Sequence, residues 1–237
     1  PASGHVITAH RKLGLATPPT TGRVLVVDQL HPRASNHNAG TQWAPILTIG
    51  AAVGKMKAGD TLYVKNGAYR EHILLPSGTA GAIVSMKAWP GHEPVMKGSN
   101  VVTGSWTRLE GAKPIYWTSW TNYTQMCFVN GIRYTQIGPF EYMSPASFAP
   151  PFDGSGIADM RPATFFYDST AKRLYVWMHN GDDPTNHTVE PAVRCMAIRY
   201  YNYTHIDGIT AMHCQARPSY DYCAIGGNGA WNTVENC

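Results

Sequence analysis

Hydrophobic positions along this chain alternate over short stretches and rarely hold a helical period for long. Arg23-Val-Leu-Val-Val-Asp28 is a first short β run. From Asp60 the runs come quickly: Thr61–Val64, Ile73–Leu75, Ile83–Ala88 and Pro94–Lys97, with turns at Gly67, Gly78, Gly81 and Pro90-Gly91. Alternation bounded by Gly and Pro reads as strands. One segment differs. After Pro45, the residues Ile46, Ile49, Val53 and Met56 recur at spacings of three, four and three, which predicts an amphipathic helix ended by Gly59. Its apolar face needs a surface to cover, and the strands that follow offer one.

The step from Leu62 to Val84 is 22 residues, the period of one turn of a three-sided β coil. Near the other end, Tyr203-Thr-His-Ile-Asp-Gly-Ile209 aligns with Asn232-Thr-Val-Glu-Asn-Cys237, which puts Asp207 and Glu235 in matching places. Residues 105–192 break the period. There Ile115-Tyr-Trp117, Met126–Val129, Thr164–Tyr167 and Leu174–Trp177 alternate as strands, Asn130-Gly131 signals a hairpin, and 168–173 joins two further strands. The organisation expected is an arm over 1–22, a capping helix with first rungs over 23–104, an antiparallel β insertion over 105–192 with a long loop at 144–162, and further rungs over 193–237.

Gly (23) and Pro (17) are abundant while charged residues make up 14%, so turns are many and long helices few. The net charge of +4 comes from scattered single residues, without a basic run, and argues against a nucleic-acid stripe. No apolar run reaches membrane-spanning length. The first residue is Pro1, which fits removal of a secretory signal. Five cysteines at wide spacings, without a Cys-x-x-Cys pair, give no zinc motif; they are read either as one or two disulfides or as buried thiols. Serine-triad, P-loop and dinucleotide fingerprints do not occur.

The string Thr48-Ile49…Ala58-Gly-Asp-Thr-Leu-Tyr-Val64…Gly67-Ala-Tyr-Arg-Glu71, followed by Pro90-Gly-His-Glu-Pro-Val95 and Gly98, resembles the start of secreted right-handed parallel β-helix proteins. Polysaccharide lyases of the chondroitinase B and alginate lyase type, and β-helix glycoside hydrolases, begin this way. The middle section, with Gln125-Met-Cys-Phe-Val-Asn-Gly131, resembles the β-rich insertion of hydrolase-like members. The resemblance spans roughly residues 24–237. It implies an all-β parallel solenoid with a capping helix, a secreted or cell-surface setting and a polysaccharide partner. It specifies the fold more than the reaction. The lyase Lys/Arg pair and the calcium carboxylates of that group find no matching positions.

Candidate chemistry gathers in the tail. If the Asp207 and Glu235 rungs stack, their backbones lie ~4.8 Å apart, close enough to split acid and base roles or, with Asp221, to hold Ca²⁺. Between those rungs His205, His213, Arg217, Tyr220 and Asp221 lie in or beside one loop. His213 is a candidate proton carrier, Arg217 a neutraliser of an acidic sugar, and Tyr220 a substrate contact or base. Trp117 and Trp120, in an aromatic cluster, are read as a sugar platform or as core of the insertion. Two function classes follow. One is a carbohydrate-active protein, lyase or glycosidase or simple binder. The other is a structural module that stacks head to tail through the open ends of its coil into fibres.

Overall fold

The computed structural model describes residues 22–138, 153–215 and 224–237. Residues 1–21 of the expected arm, and the part of the expected loop up to residue 152, lie outside them. The described chain is nearly all β, and it divides into two compact units. The first holds residues up to Met96 with Ile198–Ala211 and Gly227–Cys237; the second holds Lys97–Ala197 and Met212–Gly226.

The first unit is built on a parallel ladder of five strands. Its order is Val24–Val27, Thr61–Val64, Val84–Ala88, Thr204–Asp207 and Thr233–Glu235. Two shorter parallel stacks accompany it. Gly67–Tyr69 pairs with Pro94–Lys97, and Ile73–Leu74 pairs with Ile198–Tyr200. Side chains alternate across the ladder as the pleat requires. Leu62, Val64, Val84, Met86 and Ile206 are completely buried on one face.

The ladder register corrects the expected period. Leu62 faces Met86, not Val84, so the step between these two ladder strands is 24 residues. The tail alignment of acids is reproduced: Asp207 stands opposite Glu235.

The helix is shorter than its apolar spacing predicts. It spans Ile49–Val53, capped at its start by the Thr48 hydroxyl, which accepts from the Ala51 N–H. The Glu71 carboxylate accepts from the Ile49 and Gly50 N–H groups at 2.9 and 2.7 Å, satisfying two more of the free donors of the first turn. Ile46 is therefore not helical. It forms a parallel bridge with Val27, and Gly54 rather than Gly59 ends the helix. Ile46, Ile49, Ala52 and Met56 are still buried, so the apolar face holds although the period is only partly helical. The helix packs on the first two ladder strands and on Ile73–Leu74.

Asp60, from the Gly-Asp-Thr strand entry, fastens the start of the second ladder strand. Its carboxylate accepts from the Arg23 N–H and guanidinium at 2.8 Å each and from the Lys57 N–H at 2.9 Å, and the side chain is 4% exposed. Burial alone would raise its pKa. The hydrogen bonds from the Arg23 side chain and from the Lys57 and Arg23 backbone outweigh that and hold it below the ordinary carboxylate value. A folded pKa below the unfolded one gives stability that is complete above the unfolded pKa and is lost as pH falls through the folded pKa. Asp60→Asn is expected to cost about 2–3 kcal/mol at neutral pH and to flatten the acid limb of stability, read from urea melts between pH ~7 and ~2. An unchanged acid limb would place the acid sensitivity elsewhere.

The second unit carries one seven-stranded sheet. Its order is Val189–Pro191, Cys127–Val129, Ile132–Gln136, Thr164–Asp168, Arg173–Trp177, Ile115–Ser119 and Thr107–Arg108. The Asn130-Gly131 hairpin and the 168–173 hairpin form as read, with Val129 opposite Ile132 and Asp168 opposite Arg173. The sheet is not wholly antiparallel. Ile132–Gln136 runs parallel to Thr164–Asp168, which the long connection between them permits. Cys127, Val129, Phe165, Leu174, Val176 and Val189 form the core on one side of it. Cys127 is a buried thiol there, with burial pushing its ionisation up. Cys195, Cys214 and Cys237 are likewise thiols, and Cys223 lies outside the described residues.

Candidate functional site

The ladder lines up one residue from each strand into rows. Opposite the buried row of Leu62, Met86 and Ile206 runs the row Tyr63, Lys87, Asp207 and Glu235. An adjacent row on the same face carries Thr61, Ser85, His205 and Thr233. Strand spacing of ~4.8 Å sets the step between neighbours. The face thus places an aromatic ring, an ammonium and two carboxylates in sequence. Beyond Tyr63, the Trp89 ring meets it edge-on at 5.5 Å, and Lys65 sits over Trp89 while pairing with Asp28 at 3.2 Å.

At one end of the row, His205, Asp207 and Glu235 bring an imidazole nitrogen and two carboxylate oxygens within 4.8 Å of one another. His205 is 2% exposed and its Nε2 lies 2.8 Å from Glu235 Oε1. Its Nδ1 is buried without a hydrogen-bond partner among the described residues. A bare ring nitrogen there costs less than an unpaired N–H, so the imidazole donates from Nε2 to Glu235. Asp207 Oδ1 accepts from the Asn236 amide at 2.7 Å. Each carboxylate keeps one oxygen that receives no hydrogen bond among the described residues.

Within this set the two carboxylates are better placed than His205 to hold a metal. Ligation through His205 Nε2 would move the proton to the buried, partnerless Nδ1, against the usual support of a ligating histidine. The two remaining oxygens would supply part of the ~6–8 oxygen ligands that calcium takes, alongside water and backbone carbonyls. Asp221, the third expected ligand, lies outside the described residues, as do Arg217 and Tyr220.

His213 belongs to the second unit and is not a solvated loop histidine. It stacks on Phe128 at 3.8 Å between centroids, with planes 10° apart. Its Nδ1 lies 3.5 Å from Glu190 Oε2 and 3.5 Å from the Ser99 hydroxyl. Glu190, 2% exposed, accepts from Lys97 Nζ at 3.0 Å on both oxygens. This is a buried ion cluster that braces the Val189–Pro191 strand.

Trp117 and Trp120 also sit in the second unit. Trp120 packs against the Cys127 core, and its Nε1 is buried without a hydrogen-bond partner among the described residues. Trp117 packs beside Ile115 and Tyr175 and carries the Arg173 guanidinium 3.9 Å over its ring. Both rings are half-buried and pack on the core of the sheet, which is the second of the two roles expected of them.

His205, Lys87 and Tyr63 are the residues that sequence reasoning left without a role. Aligning Thr61-Leu-Tyr-Val64 with Ser85-Met-Lys-Ala88, rather than starting from Val84, would have put Tyr63 and Lys87 in one row with Asp207.

No family model matches this chain, and no curated protein matches it. Two solved structures share its fold. One is the complex structure of XylC with xylose, at TM-score 0.63 and 19% identity over 90% of this chain and 40% of that one. The other is a glycoside hydrolase, at TM-score 0.59 and 12% identity over 82% of this chain and 51% of that one. The chain therefore spans about two fifths and one half of their lengths. At these identities the likeness is one of fold.

Proposed function

We propose that the first unit is a right-handed parallel β-helix and that the protein acts outside the cell on polysaccharide, as a glycoside hydrolase. The path of the chain supports the coil. It passes through the three parallel stacks in one order: Thr61–Val64, Gly67–Tyr69 and Ile73–Leu74, then Val84–Ala88, Pro94–Lys97 and Ile198–Tyr200. The second unit enters between the last two as an insertion. Parallel strands joined by crossovers wind right-handed almost without exception. A xylose complex and a glycoside hydrolase among the fold neighbours make a sugar polymer the first substrate class to try.

One observation carries the reaction type: Asp207 and Glu235 present carboxylate oxygens within 4.8 Å on the same face. That approach matches retaining glycosidases, whose two carboxyl groups stand ~5–5.5 Å apart, and leaves no room for the water that inverting enzymes place between them. Glu235, receiving the His205 N–H, suits the anionic role. It attacks the anomeric carbon while Asp207, in the role of general acid, passes a proton to the leaving glycosidic oxygen. Asp207, now a carboxylate, then takes a proton from water as that water displaces Glu235 from the sugar. Tyr63 would hold a neighbouring sugar ring further along the row.

Incubating the full-length protein with xylan and other neutral glycans is expected to release reducing ends, with activity unchanged after chelation by EDTA. Alginate and chondroitin are expected to yield no unsaturated ends. Unsaturated products would make it a lyase, and EDTA-sensitive cleavage would turn Asp207, Glu235 and Asp221 into calcium ligands. Silence on every polymer would remove the enzyme reading.

A second reading has its own observation. Thr233–Glu235 is the last strand of the ladder among the described residues, with Val234 41% and Trp231 72% exposed, and exposed apolar side chains on such a strand can pair with a second copy. Head-to-tail self-association would appear as concentration-dependent large species in sedimentation velocity, abolished by Val234→Lys. A monomer at all concentrations excludes it.

A further inference from the structure

In the second unit a cavity of about 370 Å³ opens beside the Asn130-Gly131 hairpin. That is the size at which small-molecule sites begin, ~300 Å³. Val129 and Met178 form a buried apolar floor, and Ile132, 69% exposed, stands at its mouth. Polar groups converge on the rim. Asn130 Nδ2 lies 2.9 Å from His187 Nδ1, and His187 Nε2 lies 3.6 Å from Asp182 Oδ2. Asn130 Oδ1 accepts from the Thr188 N–H, which fixes the amide, and the Tyr134 hydroxyl accepts from the His179 N–H. Asn180 completes the rim.

We propose that this cavity binds one neutral sugar residue. The cavity is mostly apolar with a few polar groups at its edge, and a pyranose has an apolar C–H face to lay on the one and a rim of hydroxyls to meet the other. Its C–H face would lie on Val129, Ile132 and Met178. Its hydroxyls would meet Asp182 and Asn180, planar groups suited to paired donors and acceptors. Among the described residues no Lys or Arg lines the cavity, and Asp182 brings a negative charge, which disfavours uronates and phosphates. A wholly apolar ligand would strip water from Asp182 and Asn180 without replacing its hydrogen bonds. The site is separate in residues from the Asp207/Glu235 row and does not depend on its chemistry.

The test is an NMR titration of the full-length protein with D-xylose, D-glucose and D-galactose, with the dye 8-anilinonaphthalene-1-sulfonate as an apolar probe. At least one sugar is expected to saturate with a millimolar Kd and to shift the amides of Asn130, Ile132 and His187. Asp182→Ala and Ile132→Asp, both at exposed side chains, are each expected to weaken it about tenfold. Asp207→Asn should leave the binding intact, which separates failure here from failure of the hydrolase reading. The proposal is overturned by no saturation up to ~100 mM of any of the three sugars, the weak limit of useful affinity. It is equally overturned by sugar binding that both cavity variants retain, or by dye binding that no sugar competes.

Discussion

Asp207→Asn and Glu235→Gln are each expected to lower the rate of glycan cleavage by ~10³-fold while leaving the fold and the melting temperature almost unchanged. Each amide keeps the shape of the acid but cannot ionise or give up a proton in the same way. The pair sits half-buried at the edge of the ladder, where a neutral isostere does little to packing. The two variants should differ in kind. With Glu235→Gln the anomeric carbon loses its nucleophile, so azide, a small external anion, is expected to restore turnover and to give a product of inverted configuration. With Asp207→Asn leaving-group protonation is lost, so substrates with good leaving groups should suffer least. His205→Gln tests the positioning role. Its amide can still donate to Glu235, so a modest loss of kcat with KM unchanged is expected, against a larger loss for His205→Ala. If Asp207→Asn and Glu235→Gln cleave like the parent protein, the reacting groups lie elsewhere and this face only binds.

Much of the fold was legible because strands announce themselves locally. Thr61–Val64, Val84–Ala88 and both hairpins of the second unit were visible from alternation and turn residues. The match of Asp207 to Glu235 was visible because the two rungs repeat their composition. What escaped depended on partners distant in sequence. The helix was over-read because Ile46 satisfies the same apolar spacing as a bridge to Val27. The ladder period was short by two residues because Val84 and Met86 are equally apolar, so hydrophobicity alone cannot choose between registers of the same parity. His213 gave no hint of its burial, since nothing near it in sequence foretells the stack on Phe128 or the approach of Glu190.

Glu190→Ala is expected to destabilise the second unit by about 3–5 kcal/mol, the cost of removing one member of a buried ion pair. The reason is what remains. Lys97 Nζ, 3.0 Å from both Glu190 oxygens, would be left largely out of water without its counter-charge. His213, held between Phe128 and Glu190, would lose the anion beside its Nδ1. Glu190 also lies on the strand that pairs with Cys127–Val129, so the void opens beside Phe128 and into the sheet. At this chain length the loss corresponds to a fall in Tm on the order of 10 °C. The charge effect separates from the packing effect in a double-mutant cycle. Lys97→Met alone strands the Glu190 carboxylate and should also be costly. Lys97→Met with Glu190→Leu removes both charges and keeps apolar bulk, and is expected to be far milder than the sum of the single changes. Additive losses would mean that the two side chains are hydrated independently and that the strand is held by packing alone.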